Sequence, residues 1–196
     1  TLDEWTLQLR PGVTWSDGEA FNADDIVFTV EMLLANAPSL FFSAAFEQWI
    51  ARVEKIDDLT VRFVLKMPNP RFQLDYWVVK IYNSVYIAPE HIWRGQDPLT
   101  FKNYDPAKGW PVFTVPYKLA RFSETEFVYV RDDNWWGART GWRPLPKPEK
   151  LVWVWYGPEE TRTAAMAGGE LDCLCDISLG AFQALGNWKK DVYTWT

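Results

Sequence analysis

Cysteine, histidine and clustered positive charge are scarce in this 196-residue chain, and each scarcity argues against a class of function. The single histidine, His91, leaves no basis for a Cys/His metal cluster or for a convincing Ser–His–Asp arrangement. The two cysteines, Cys173 and Cys175, lie two positions apart. On a strand they would share a face, yet neighbours this close rarely reach disulfide geometry, so they read as small buried thiols that leave the redox compartment open. Lys and Arg number 20 against 26 Asp and Glu, and the basic residues are scattered singly. A nucleic-acid partner is therefore not expected, because phosphate binding needs clustered cations. No apolar run approaches the roughly 20 residues that cross a bilayer. A G-x-S-x-G turn is missing, as is a phosphate-cradling glycine loop: Gly168-Gly169 follows a helical pattern instead of opening one. Repeats and low-complexity stretches are also lacking.

What the chain does have is aromatic side chains. It carries 13 Trp, 12 Phe and 8 Tyr, 17% of all residues and more Trp than one interior needs. Flat rings exposed in a cleft would stack on sugar faces or hold apolar side chains. Carboxylates are plentiful, but Asp17, Asp24, Asp25, Asp57 and Asp58 all fall at turns or helix starts. There, local capping is the expected role rather than acid–base catalysis. No catalytic residue, cofactor or metal site is assigned.

The pattern of turns and periodicities is that of a mixed α/β protein. Trp5–Arg10 reads as a strand ending at Pro11-Gly12, and Trp15–Gly18 as a turn. Asn22 is placed to cap a helix whose apolar face holds Ala23, Ile26, Val27, Val30 and Leu34. Trp49–Ile56 and Thr60–Met67 form an expected hairpin, with a short helix over Phe72–Val78. The proline-bearing stretch Ala88–Lys108 reads as a crossing between domains, with a helical turn at Pro89–Trp93. A second hairpin is expected from Pro116–Phe122 and Glu126–Arg131. The spacing then predicts a strand at Leu151–Tyr156, a helix at Glu159–Ala167 and a parallel return strand at Leu171–Asp176. Ser178 is placed to cap a last helix running through Leu185.

Four stretches, in order, resemble one known family. Leu7–Glu19 with Phe21–Phe28 is similar to the L-R-x-G-V-x-W-S-D-G-E signature and the helix after it. Val53–Pro70 resembles that family's hairpin ending in P-x-P. Pro116–Leu119 with Arg131 and Asn134–Gly137 resembles G-P-Y-K-L … R-N-x-x-Y-W-G, and Ala167–Asp172 resembles the G-E-I-D segment. The family is the extracellular solute-binding proteins of family 5, which includes oligopeptide-, dipeptide- and nickel-binding members. The resemblance implies a periplasmic-binding-protein-like type II fold, here partial and lacking the distal lobe. Residues 1–105 would belong to the small extra lobe and 106–196 to part of the first main α/β lobe. An amino-terminal segment would precede the chain and a second main lobe follow it, so the opening at Thr1 reads as that of a fragment. The implied function is capture of an oligosaccharide or oligopeptide between hinged lobes for an ABC importer. The partner would be a membrane permease and the location periplasmic or extracellular, lipid-anchored to the cell surface in a monoderm.

By the same resemblance, Trp15–Gly18 and Trp135–Gly137 mark the fold and do not touch ligand. The family's G-T-G is replaced by Phe113-Thr114-Val115, and bulky residues cannot take glycine-only backbone angles. Phe113 would either project into the ligand cleft or cover the hinge. Cys175, Asp176 and Ser178 fall on a cleft-lining stretch, Asp176 serving either a ligand hydroxyl or ammonium or a helix cap. Phe41, Phe42, Phe46 and Trp110 are aromatic candidates, with packing as the competing role for each. The excess of Trp tilts the ligand toward sugar. Two rivals remain: a carbohydrate hydrolase with paired carboxylates about 5–10 Å apart, and a relative that has lost transport. A lobe without its neighbours would also expose surface suited to self-association.

Overall fold

Asn22 begins the first helix by accepting the Asp24 amide at 2.7 Å, while the Asp25 side chain accepts the Asn22 amide at 3.1 Å. In the computed structural model, which describes residues 2–78 and 84–188, this reciprocal cap opens α1 (Ala23–Ala35). The chain resolves into two compact units, one of residues 1–120 and 129–150 and the other of 121–128 and 151–196. Position 105 thus lies inside the first unit.

The first unit is built on the sheet order β1-β3-β2, from β1 (Glu4–Gln8), β2 (Ile50–Asp57) and β3 (Thr60–Leu65), all antiparallel. Alternation along β3 sends Val61, Phe63 and Leu65 inward, as its sequence predicts, and leaves Arg62 to pair with Glu54. Ile26, Val30 and Leu33 of α1 pack on that face with Phe46 and Phe72, making the main core. The Asp57-Asp58 turn is tied to α1: the Asp58 carbonyl accepts the Ala23 amide at 2.9 Å, and Lys55 reaches Asp24 and Asp58 at 2.8 Å each.

Between α1 and β2 lies a helix that periodicity did not reveal, α2 (Ser43–Trp49). It takes in Trp49, expected to start the strand. Its seven residues are too few for an apolar stripe to repeat, and tertiary packing of Phe46 supports it. The short α3 (Phe72–Tyr76) and α4 (Glu90–Trp93) stand where expected, and a 3-10 turn spans Pro106–Lys108.

A hairpin of β4 (Tyr117–Phe122) and β5 (Glu126–Arg131) joins β6 (Lys150–Val154) in a second sheet of order β4-β5-β6. The short α5 (Trp136–Arg139) comes between β5 and β6. In the second unit, α6 (Glu159–Gly168) and α7 (Leu179–Trp188) follow.

Two expectations fail in the segment joining these helices. Leu171–Asp176 is not a strand, and Cys173 and Cys175 are exposed rather than buried. The cause is how the segment is tethered. At one end Gly169, at φ 80°, closes α6, and the Glu170 amide donates to Ala165 O at 2.9 Å. At the other end Ser178 donates its amide and its hydroxyl to the Glu159 carboxylate, at 2.6 and 2.7 Å. Both ends are thus fixed to α6, and the segment runs back along the helix instead of joining a sheet edge.

Three predictions follow from these contacts. Asp25→Ala strands three N–H donors, the Trp15 indole buried and the Asn22 and Glu90 amides partly so, and should cost about 2–4 kcal/mol in urea unfolding. Burial raises the Asp25 pKa, against the opposing pull of hydrogen bonds from Glu90, Asn22 and Trp15. The folded state therefore holds that proton more tightly. As pH rises from about 4 through the raised value, the wild type should lose stability relative to Asp25→Asn, and an unchanged gap between the two would contradict this. At Ser178, the hydroxyl and amide hold the Glu159 pKa below its usual value. That support is present above the ordinary carboxylate pKa and lost as pH falls through the depressed one. Ser178→Ala should speed hydrogen exchange at Ala181, whose amide the Ser178 hydroxyl accepts at 3.2 Å. Acidification should likewise lower the protection factor of that amide in the wild type, measured against the slower intrinsic exchange at low pH.

Candidate functional site

Three groups of residues carry the sequence-based assignments, two in the first unit and one in the second. The first surrounds the 113–115 loop. The Phe113 amide donates to Ser16 Oγ at 3.1 Å, and the Thr114 carbonyl accepts both indole N–H groups of Trp135 and Trp136, at 2.8 and 2.6 Å. Ser16 sits in a tight turn closed by Gly18 N to Trp15 O at 3.0 Å and Trp15 N to Glu19 O at 2.8 Å. Gly18 has φ 103°, which a side chain rarely tolerates. Asp17 in this turn accepts the Glu19 amide and lies 2.8 Å from His91 Nε2 on α4. The two stretches assigned to the fold are thus clamps on the loop between them.

The ring of Phe113 is partly exposed and meets Tyr129 edge-on at 6.4 Å. Neither Phe113 nor Val115 takes a positive φ, so the loop uses angles open to any residue. Trp110 is half-buried beside Trp15, Ile92 and Val112, with Lys108 Nζ 4.6 Å from its ring centre. Beneath the loop, Trp135 and Trp136 are buried with Val13, and Trp142 stacks on Trp136 at 4.9 Å. Gly137 admits no side chain: a Cβ there would stand 2.3 Å from the Trp135 ring.

Phe41, Phe42 and Phe46 follow α1 and separate in role. Phe46 is wholly buried against Phe72, Tyr76 and Trp77, which makes it a core residue of the first unit. Phe41 is 69% exposed, and with Phe42 it lines an open depression of about 480 Å³ over Pro38–Ala45. Phe42 precedes α2 at φ 67°, an uncommon conformation for a bulky residue, and its ring centre lies 4.3 Å from that of Phe41.

In the second unit, Cys175, Asp176 and Ser178 are exposed. Asp176 takes φ 56°, and it is Ser178 that caps α7. Trp153 and Trp155 are 60% and 71% exposed; both fall in the strand expected over Leu151–Tyr156, but β6 ends at Val154 and Trp155 lies just beyond it.

The carboxylates behave as their turn positions predicted. Asp25 does more than cap: it also accepts the Trp15 indole at 3.2 Å and the Glu90 amide at 2.9 Å. A further cavity of about 120 Å³, lined by Trp5, Phe63, Phe72, Gln73 and Trp77 among others, was not legible in the sequence. The indole N–H groups of Trp5 and Trp77 are buried there without an acceptor among the described residues. Among those residues, no group of three His, Cys, Asp or Glu side chains could hold a metal ion, and no helix is long and apolar enough to cross a membrane.

Known proteins resemble this chain in sequence and in fold. Residues 2–194 match the model of the bacterial extracellular solute-binding proteins, family 5 middle. The glutathione-binding protein GsiB of Pectobacterium atrosepticum is 29% identical over 168 residues, and that of Shigella boydii serotype 4 is 30% identical over the same length. Those alignments cover 85% of this chain and 29% of the relatives. A periplasmic oligopeptide-binding protein of an ABC transporter from Thermotoga maritima superposes with a TM-score of 0.70 at 31% identity, over 88% of this chain and 30% of that one. The mannohexaose-bound form of the Thermotoga protein superposes at 0.69 and 30% identity, over the same shares. The oligopeptide-binding protein AppA of Bacillus subtilis, in complex with a nonapeptide, shares the fold at 20% identity and a TM-score of 0.70. This chain spans about a third or less of the length of each of these proteins, and it belongs to the bacterial extracellular solute-binding proteins of family 5.

Proposed function

We propose that the chain is part of the substrate-binding component of an ABC importer and that the whole protein captures a short oligosaccharide outside the cytoplasmic membrane. The observation that carries the sugar reading is the pairing of exposed rings here with the mannohexaose-bound Thermotoga relative at 30% identity. Pyranose faces stack on flat rings, and Phe41 and Phe113 offer theirs. A peptide is the second reading, favoured by the names of the glutathione- and oligopeptide-binding relatives.

On this proposal Phe41, Phe42, Trp110 and Phe113 supply ring contacts. Within the second unit, Cys175, Asp176 and Ser178 are the polar candidates, and Phe46 supports the first unit from its core. The permease of the importer is the macromolecular partner, and the location is periplasmic or extracellular. Turnover is no part of this reading, since members of the family are non-enzymatic transport components. A hydrolase would need a carboxyl of raised pKa free in a cleft. Asp25 is raised, but it lies buried under three N–H donors.

Calorimetry on the full-length protein tests the choice, with manno-, cello- and xylo-oligosaccharides against a peptide mixture. Sugar should give saturable heat and peptides none; micromolar peptide binding without sugar heat would overturn the sugar reading. Phe41→Ala and Phe113→Ala should each weaken sugar binding roughly 2- to 10-fold. Gly137→Ala should lower unfolding stability by about 1–3 kcal/mol by displacing Trp135, whose indole also holds the Thr114 carbonyl.

A further inference from the structure

The arginines of this chain fall into two sets. Arg52, Arg62, Arg71, Arg94, Arg121 and Arg131 each lie against a carboxylate. Arg10, Arg139 and Arg143 do not: among the described residues no Asp or Glu side chain pairs with any of them. These three gather around one indole of the first unit. The guanidinium carbons of Arg10 and Arg143 stand 4.8 and 5.9 Å from the ring centre of Trp142. Arg139, at the end of α5, is fixed by donating to the Asn134 carbonyl and to Thr14 Oγ1, both at 3.1 Å. The turn after Arg10 packs on the same stretch, since a Cβ on Gly12 would stand 3.1 Å from the Thr140 methyl carbon. Trp142 in turn stacks on buried Trp136, so the ring that collects the guanidiniums is itself held. All three arginines and Trp142 are exposed.

Like charges gathered in one place repel, and a chain with 26 acidic against 20 basic residues has carboxylates to spare, yet none is set here. We propose that this cluster is a docking surface for an acidic segment of a partner protein, one that presents two or more Asp or Glu side chains. A guanidinium over a ring spends its face there and keeps its N–H donors at the edge, where a carboxylate is received in pairs. Arg10 and Arg143 make no side-chain hydrogen bond among the described residues, so those donors are free. Trp and Arg are also the residue types that carry most binding energy at protein interfaces. A small free anion fits less well, because each exposed ion pair contributes little alone, whereas a segment with several carboxylates engages the cluster at once. An anionic membrane fits less well too, since its field acts on the whole chain, whose net charge is −6. The proposal is independent of whether the cargo is sugar or peptide: Phe41, Phe42 and Phe113 take no part in it.

The test uses the full-length protein and fluorescence anisotropy, with fluorescein-labelled hexaglutamate as the probe, hexaglutamine as the uncharged control and phosphatidylserine vesicles as the membrane arm. Hexaglutamate should bind saturably and weaken as salt rises from about 50 to about 300 mM, and hexaglutamine should not bind. Arg10→Gln combined with Arg143→Gln should weaken hexaglutamate binding about 3- to 30-fold. Arg121→Gln, which loses a cation already paired with Glu126, should leave it unchanged. Phenylglyoxal labelling of the unaltered protein, read by mass spectrometry, provides the second measurement: hexaglutamate should slow modification of Arg10, Arg139 and Arg143 but not of Arg121. No binding of hexaglutamate, equal binding by the double variant, arginines left unprotected, or capture by the vesicles without hexaglutamate binding would overturn the surface.

Discussion

A single buried carboxylate organises the first unit. Asp25 caps its own helix through the Asn22 amide, accepts the Trp15 indole and receives the Glu90 amide that starts α4. Segments far apart in the chain meet on its two oxygens. Burial disfavours the charge, and the three donors offset part of that cost. Thr29, one turn along α1, repeats the theme: its hydroxyl donates to Asp25 O at 2.7 Å and accepts the Ala88 amide at 2.9 Å. Helix α1 is therefore both the wall of the core and the post to which the 88–90 backbone is fastened.

From that post the constraint passes to the loop nearest the proposed ligand contacts. Trp15 is held by Asp25, the turn after Trp15 presents Ser16, and Ser16 accepts the Phe113 amide. Trp135 and Trp136 complete the fastening from the other side through the Thr114 carbonyl. Much of the tryptophan excess is absorbed here, in rings that fill space and donate a hydrogen bond at once. Among the described residues, Trp142, Trp153 and Trp155 are the tryptophans left largely exposed.

The features readable from sequence were those set by local chemistry. The Asn22 cap, the hairpin closing at Asp57-Asp58, the alternation of Val61, Phe63 and Leu65 and the turn at Ser123–Thr125 all depend on neighbours within a few residues. Errors arose where a distant partner decided the outcome. Leu171–Asp176 stands where a strand–helix–strand unit would put its return strand, but the Glu159 carboxylate holds Ser178 back beside α6. Its cysteines are too close in sequence to pair, and they stand exposed although an unpaired thiol is more often buried. Helix α2 escaped notice because Phe46 owes its place to Phe72, Tyr76 and Trp77, not to periodicity. Of the assigned site residues, the sequence could name ring types but not which rings point inward, a matter of tertiary packing alone.

The Thr114 loop is gripped only by its main chain: one carbonyl oxygen receives two indoles, and one amide hydrogen goes to a serine. No side chain at 113, 114 or 115 takes part in those three bonds. A lineage can therefore exchange the groups this loop displays, glycine for phenylalanine or valine included, while its path stays moored. Diversity of cargo among relatives built on one unaltered frame is what such an anchorage would permit.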